Sequence, residues 1–325
     1  MSGEVKMDSV NNRISTSIII PTYNKRSRLI VTLESIKRLK LSNRLEVIIV
    51  NDGSDDDTQD ILDKFHGEMI HTEKIRVKIL KIENSGRSVA RNRGIEVANG
   101  ELIIFSDDDL ILDNMFVLWH EEMHRNYKNA VIHGKINSLP YLKFFISPMS
   151  PELVDGGQAI GLLKNKVIKL NMFQNGVLEK YLKENARVSK FEKDIKDLFD
   201  CTNVTESIFR WIGFTGGNVS VQKHFLNEVG QFDPCMGKEW GCEDIELGYR
   251  LFQYGLNFYY CENAINYHMN HYRKDFLEIH NSSFQYFEDK YEDYAIHMLK
   301  EYFNGRTNTL VDWMNQVLLK RESVN

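Results

Sequence analysis

The acidic triplet Asp107-Asp108-Asp109 follows directly after the apolar run Ile103-Ile104-Phe105. Such a run predicts a buried strand, and three adjacent carboxylates at its end repel one another unless a cation lies among them. In one interpretation, Mg²⁺ or Mn²⁺ binds one or two of these carboxylates together with diphosphate oxygens. In the other, an acidic turn caps the helix that follows, because aspartate is favoured at helix N-termini. The triplet by itself leaves both interpretations open.

Four short runs in the first third of the chain predict the strands that would position such residues: 17–20, 45–50, 75–82 and 101–105. Apolar residues at helical spacing lie between these runs. Strands that alternate with helices of this length predict βαβ units and a parallel sheet with right-handed crossovers. We therefore expect an α/β fold with a mostly parallel sheet flanked by helices.

Unusual polar residues occur just after each of these four predicted strands. In open parallel sheets, ligands bind outside the carboxyl ends of the strands. This coincidence is the strongest physical indication of a site in the chain. The residues concerned are Thr22-Tyr23-Asn24, Asn51-Asp52, residues 84–87 and the acidic triplet.

The second half of the chain has a weaker pattern. It predicts a strand at 130–136, followed within 137–210 by loops and a solvated, mixed-charge helical insertion. Regular structure is predicted again from residue 211, with a helix at 244–254 and strands at 257–260 and 264–268. Two helices are predicted within 275–320. These last helices pack either on the core or on a second subunit. A homo-oligomer formed through them is therefore one of our predictions.

The overall composition argues against several classes of protein. The 41 Lys and Arg against 46 Asp and Glu give a net charge of −5, which argues against a nucleic-acid binder. The four cysteines form no CxxC pair, and this favours free thiols in a reducing compartment. No run approaches the ~20 apolar residues of a membrane helix, and residues 1–13 lack the apolar core of a signal peptide. We therefore predict a cytoplasmic protein without a transmembrane segment.

Four motifs resemble, in order and spacing, those of family 2 glycosyltransferases with the GT-A fold. Each motif alone is weak, but the four together over the first third of the chain are a strong signal. The resemblance implies a Rossmann-like GT-A domain and a nucleotide-diphospho-sugar donor, with UDP-sugar as the donor class. The motifs are Pro21-Thr22-Tyr23-Asn24, residues 50–56 (VNDGSDD), residues 83–94 (ENSGRSVARNRG) and residues 105–109 (FSDDD).

In the resembled family, the matching tyrosine and aspartate bind the nucleotide base. Tyr23 would stack on the base, worth about 1–3 kcal/mol, and Asp52 would accept a hydrogen bond from a base N–H group. The alternatives are turn packing for Tyr23 and the common turn pair Asp52-Gly53. The other donor-binding candidates are Pro21, Thr22, Asn24, Asn84, Gly86, Arg87, Arg91, Asp107 and Asp108. Among them, Arg87 and Arg91 suit phosphate through their guanidinium forks, or else form surface salt bridges.

Asp107 and Asp109 match the Asp-x-Asp motif of the family, which implies that one of them ligates Mn²⁺ or Mg²⁺ and the other contacts ribose or sugar. The metal would neutralise the leaving diphosphate. Leu110 stands where the family often has another acid, and this leaves open which carboxylate is the ligand. His268 resembles the late histidine that completes the metal site in some GT-A enzymes, although a lone histidine is more often structural. His271 is a weaker candidate.

The pair Glu243-Asp244 is similar to the acceptor-side acidic motif of inverting enzymes with this fold. A sugar hydroxyl is a poor nucleophile, so the reaction needs a carboxylate base. Asp244 is our candidate for that base, and Glu243 would position the acceptor or tune Asp244. The alternative is a helix start whose acids are stabilised by the helix dipole. Further acceptor-binding candidates are Gly216, Gly217, Trp240 and Gly241.

The resemblance implies a metal-dependent glycosyltransferase that moves a hexosyl or N-acetylhexosaminyl group to a glycan, small-molecule or peptide hydroxyl with inversion. We divide the chain into a nucleotide-sugar-binding half at 13–137, an acceptor-binding half with a variable insertion at 138–270, and a C-terminal helical extension at 271–325. The Trp240 to Asp244 region also resembles retaining polypeptide N-acetylgalactosaminyltransferases. A nucleotidyltransferase and a non-catalytic nucleotide-sugar-binding protein are further alternatives.

Overall fold

A computed structural model describes residues 15–174, 176–202, 207–238, 241–272 and 276–322. Among these residues, nine strands form one sheet in the order β3-β2-β1-β4-β8-β6-β9-β5, with β7 paired to β6. The strands are β1 (Thr16–Thr22), β2 (Leu45–Asp52), β3 (Ile75–Ile82), β4 (Leu102–Phe105), β5 (Leu110–Leu112), β6 (Ala130–Ser138), β7 (Arg187–Val188), β8 (Val219–Gln222) and β9 (Asn257–His268).

The first four strands pair in parallel, as the βαβ pattern predicts. β1, β2 and β4 are buried along their whole length because helices cover both faces of the sheet, whereas β3, at the edge of the sheet, is only partly buried. Those helices are α1 (Arg26–Ile36), α2 (Thr58–Met69) and α3 (Arg87–Val97). This half of the predicted fold is confirmed.

The second half adds antiparallel pairing that the sequence pattern did not reveal. β8 pairs antiparallel with both β4 and β6, and β5 pairs antiparallel with the end of β9. The remaining helices are α4 (Phe116–Asn126), α5 (Gly161–Lys164), α6 (Val177–Asn185), α7 (Lys190–Asp200), α8 (Lys223–Val229), α9 (Glu243–Gln253), α10 (Phe276–Lys290), α11 (Tyr294–Phe303) and α12 (Leu310–Glu322).

Three details correct the sequence-based predictions. The two strands predicted at 257–260 and 264–268 are one continuous strand, β9. Three helices, not two, follow residue 275, because Gly305 with a φ of 73° separates the last two. The insertion was predicted to be solvated, yet α7 buries Glu192, Ile195 and Leu198, since it packs on the sheet.

The C-terminal helices pack on the core of the same chain. Phe287, Leu299 and Trp313 are buried in the cluster that also contains strand residues from β4 and β8. Among the described residues, no helix is long and apolar enough to cross a bilayer. All four cysteines are thiols that form no disulfide bond.

Candidate active site

The acidic triplet does not cap a helix. It leads into β5, and Asp108 and Asp109 are buried. Thr32 of α1 fixes this turn, because its hydroxyl donates to the Asp108 carbonyl (2.9 Å) and accepts from the Leu110 N–H group (3.1 Å). Of the two interpretations of the triplet, the helix cap is excluded.

The loops after β1 and β2 are bonded to each other. The Asn24 side chain accepts from the Asp55 N–H group at 3.0 Å, and the Ser54 hydroxyl accepts from the Asn24 N–H group at 3.0 Å. Pro21 and Thr22 are buried at the end of β1, whereas the Tyr23 ring is exposed. Tyr23 is therefore available to a ligand at this edge.

Asp52 holds the glycine loop that follows β3. Its two carboxylate oxygens accept from the Ser85 and Gly86 N–H groups at 2.8 and 2.9 Å, and Asn84 donates to its carbonyl at 3.0 Å. Burial raises the pKa of Asp52, and the two backbone N–H groups offset part of that rise. A carboxylate offers about four lone-pair directions, so Asp52 keeps acceptor capacity for a nucleotide base.

The glycine loop also contacts the acceptor half of the chain. Gly86 has a φ of 93°, and a Cβ there would lie 2.7 Å from the backbone of Lys238. The N–H group of Arg87 donates to the Gly237 carbonyl at 2.8 Å. Only glycine fits this close approach, so the loop after β3 is joined here to the segment that precedes α9.

Arg91 lies buried beneath the site and connects three carboxylates. Its Nη1 donates to Glu243 Oε1 (3.1 Å) and Asp244 Oδ1 (2.6 Å), and its Nη2 donates to Asp107 Oδ1 (2.9 Å). The guanidinium group also lies over the Phe232 ring, 5.1 Å from its centroid. In this arrangement Arg91 positions acidic side chains of its own chain. Arg87 is more exposed and contacts only Glu243 among these acids, at 3.3 Å.

The two acids that begin α9 have opposite electrostatic environments. Burial acts to raise the pKa of Glu243, but Arg87 and Arg91 outweigh it, and the pKa is below its usual value. Burial, together with the charges of Glu243 and Asp107, raises the pKa of Asp244 to about 7 against the opposing effect of Arg91. The Asp244 side chain is 24% exposed. It is therefore a reachable carboxylate that gains and loses its proton near neutral pH, as a general base requires.

The predicted acceptor glycines differ in how tightly they are packed. A Cβ on Gly216 would lie 2.5 Å from Arg91 Cζ and 2.7 Å from Asp244 Oδ1, and the Gly216 N–H group donates to Asp244 Oδ2 at 2.9 Å. Gly217 has ordinary space, with its nearest neighbour, Asp107 Oδ2, at 3.5 Å. Gly241 has a φ of 127°, which places it in a region that favours glycine. Trp240 lies outside the described residues.

A second cluster, around Asp109, has the composition of a metal site. The Asp109 carboxylate lies 3.4 Å from His268 Nε2 and 3.2 Å from His271 Nε2, and one ligand atom from each residue lies within 4.8 Å of the others. Burial acts to raise the pKa of Asp109, but His268, His271 and Lys25 outweigh it and hold the pKa well below its usual range. The carboxylate is therefore ionised, as a metal ligand must be.

The donor set of this cluster fits a divalent metal ion. One carboxylate with two imidazoles suits a transition-metal ion better than Mg²⁺, which prefers an all-oxygen set. His271 was only a weak candidate in the sequence, where the His-x-x-His spacing was its one signal. Asp107 bonds Arg91 and is not among the described residues that form this cluster.

Two cationic residues of the α1 region were missed by the sequence analysis. Arg28 donates to the carbonyl oxygens of Met269 (3.3 Å) and Asn270 (3.4 Å), the two residues between the histidines. Lys25 Nζ lies 2.7 Å from His271 Nε2. Nothing in the local sequence signals these contacts, because only the fold brings α1 beside the end of β9.

Residues 17–150 match the family described as glycosyl transferase family 2. The uncharacterized glycosyltransferase YfnE of Bacillus subtilis is 29% identical over 79% of this chain and 65% of its own length. The hyaluronan synthase of Pasteurella multocida is 26% identical over 79% of this chain and 25% of its own length. The chain thus spans less than two thirds of both of these relatives.

Two solved structures share the fold of this chain. S. aureus TarS 1-349 in complex with UDP-GlcNAc has a TM-score of 0.52 at 15% identity and covers 88% of this chain and 67% of its own. The mannosyltransferase PcManGT from Pyrobaculum calidifontis, in complex with GDP-Man and Mn²⁺, has a TM-score of 0.53 at 13% identity and covers 95% and 70%. At this identity the likeness shows the GT-A fold and nothing finer.

Proposed function

We propose that this chain is a family 2 glycosyltransferase that moves a sugar from a UDP-sugar donor to an acceptor hydroxyl with inversion of the anomeric centre. The observation that carries the proposal is the environment of Asp244. Asp244 is a partly exposed carboxylate with a pKa raised to about 7, and it is joined through Arg91 to the donor-side Asp107.

The donor would bind across the loops after β1 to β4. The exposed Tyr23 ring is placed to stack on the base, and Asp52 keeps acceptor capacity for a base N–H group. Arg87 would contact the diphosphate, since it is the more exposed of the two arginines, whereas Arg91 stays beneath Asp107 and Asp244. The complex of TarS with UDP-GlcNAc supports this donor class.

Asp109, His268 and His271 would hold the metal ion, which we propose is Mn²⁺. The bound ion would supply positive charge that stabilises the leaving diphosphate. The complex of PcManGT with GDP-Man and Mn²⁺ supports such an ion in this fold.

The transfer would be a single displacement. Asp244 accepts the proton of the acceptor hydroxyl while the acceptor oxygen forms a bond to the anomeric carbon. The bond from that carbon to the diphosphate oxygen breaks on the opposite face, and the nucleoside diphosphate leaves with the electron pair. The Gly216 N–H group and Arg91 hold the two oxygens of Asp244 during this step.

A panel of nucleotide sugars tests the donor. With Mn²⁺ present, we expect one UDP-sugar to raise the unfolding temperature, because a ligand that binds only the native state stabilises it. The same UDP-sugar should release UDP slowly in water and faster with acceptor. Thermal stabilisation by UDP-sugars without UDP release under any condition would refute catalysis, and a retained anomeric configuration by NMR would refute the displacement.

A further inference from the structure

The insertion after β6 carries an apolar face that points away from the core. Phe145 and Leu153 form an antiparallel bridge, and Glu152 bridges Gln158. Phe145 is buried and Leu153 packs against the core. Side chains alternate between the two faces of such a ladder, so residues two apart share a face. The residues with large apolar side chains on the outward face are Phe144, Ile146, Val154 and Ile160.

These large apolar side chains are exposed as a group. Phe144, Ile146 and Val154 are exposed, Ile160 is 82% exposed, and Leu162 beside it is 83% exposed. We call these five residues the apolar face. Glu152 and Gln158 are its polar members. A cluster of this kind on a protein surface marks an interaction site.

The segment that contains the apolar face also contains several lysines. Lys143 Nζ lies 5.2 Å from the centroid of the Phe144 ring, and Lys166 Nζ lies 5.0 Å from that of Tyr141. Lys164 and Lys169 are exposed in the same segment. Residues 139–188 carry seven Lys and Arg against four Asp and Glu, whereas the whole chain has a net charge of −5. The segment that contains the apolar face therefore has a net positive charge, although Glu152 and Asp155 are exposed within it.

The insertion begins at the edge of the sheet that carries the candidate active site. β6 ends at Ser138, which pairs with His268, and the Leu139 N–H group donates to the His268 carbonyl at 2.8 Å. The insertion therefore begins beside His268 of the candidate metal cluster.

We propose that the apolar face docks the protein on an anionic lipid bilayer. Aliphatic and aromatic side chains would enter the boundary between headgroups and acyl chains, and the lysines would contact anionic headgroups. A second copy of the chain fits less well, because a two-fold interface on this face would bring two sets of lysines together. This inference is independent of the proposed transfer reaction.

Vesicle co-sedimentation tests the proposal without donor or acceptor. The full chain should pellet with phosphatidylcholine vesicles that contain phosphatidylglycerol and stay in solution with phosphatidylcholine alone. Ile160→Glu combined with Leu162→Glu should reduce partitioning by about tenfold or more. The matched control is Ile70→Glu with Leu319→Glu, at residues 64% and 67% exposed, and it should partition as the unmodified chain does.

A second pair of variants separates lipid charge from apolar contact. Replacing Lys143, Lys164 and Lys169 by glutamine should weaken partitioning by roughly fivefold per lysine. The same change at Lys64, Lys74 and Lys128, which are exposed elsewhere, is the control. The proposal fails if the chain ignores anionic vesicles, or if both sets of variants bind them equally. It also fails if light scattering shows a dimer that Ile160→Glu with Leu162→Glu dissociates while vesicle binding is unchanged. Circular dichroism confirms that each variant is folded.

Discussion

Replacing Asp244 by asparagine should remove transfer activity while the fold persists. Asparagine has nearly the same shape, and its carbonyl oxygen can still accept from either Arg91 or the Gly216 N–H group, so the site stays packed. It cannot accept a proton. General base catalysis contributes about 100- to 10,000-fold, and kcat/KM should fall by that factor.

The pH profile gives an independent measure of the same residue. With a pKa of about 7, Asp244 is ionised in about one molecule in ten at pH 6, and kcat/KM should fall about tenfold for each further unit below neutrality. An ordinary aspartate has a pKa of about 3.9 and would show no such fall above pH 5. The acid limb should disappear from the residual activity of Asp244→Asn.

The assay is UDP release with acceptor present, between pH 5 and pH 9, in buffers of constant ionic strength. Asp312→Asn is the matched control, since Asp312 is exposed in the first turn of α12, and its profile should equal that of the unmodified chain. If Asp244→Asn keeps the full rate, or if its acid limb near pH 7 is unchanged, another group is the base.

Three further changes probe the surrounding architecture. His271→Ala should weaken Mn²⁺ binding by about tenfold or more, as electron paramagnetic resonance of free Mn²⁺ would show, and unchanged affinity would remove His271 from the ligand set. Gly216→Ala should destabilise the fold by about 1–3 kcal/mol, because its Cβ would meet Arg91. Gly217→Ala should have little effect on the free energy of unfolding, and denaturant titration compares the two variants. Equal effects would refute the packing argument. Asp52→Ala leaves two backbone N–H groups without an acceptor, so the free energy of unfolding should fall by about 1–3 kcal/mol. The same change should weaken UDP binding, which isothermal titration calorimetry measures. Unchanged UDP affinity would limit Asp52 to a structural role.

Local sequence patterns predicted the strands and helices correctly where the fold repeats the βαβ unit. Short apolar runs separated by helical spacing predicted β1, β2 and β4 because parallel strands buried on both faces are continuously apolar, and the alternating residues of 75–82 predicted the half-buried β3. These patterns did not predict β5, because it is only three residues long and pairs with the end of β9, which is distant in sequence. It also misjudged α7, since the burial of Glu192 depends on partners such as Tyr260, which donates to it at 2.6 Å.

The sequence by itself indicated the resemblance to family 2 glycosyltransferases, the polar loops at the carboxyl ends of the strands and the identity of the acidic residues, because these depend on residue type and short spacing. Tertiary structure alone decided which partners each of these acids contacts. Asp109 meets His268 and His271 because β5 pairs with β9, and Asp107 meets Asp244 only through Arg91, since α3 and α9 converge beneath the sheet edge. Burial and nearby negative charge where these helices meet raise the pKa of Asp244 to about 7. No local sequence pattern predicts this environment.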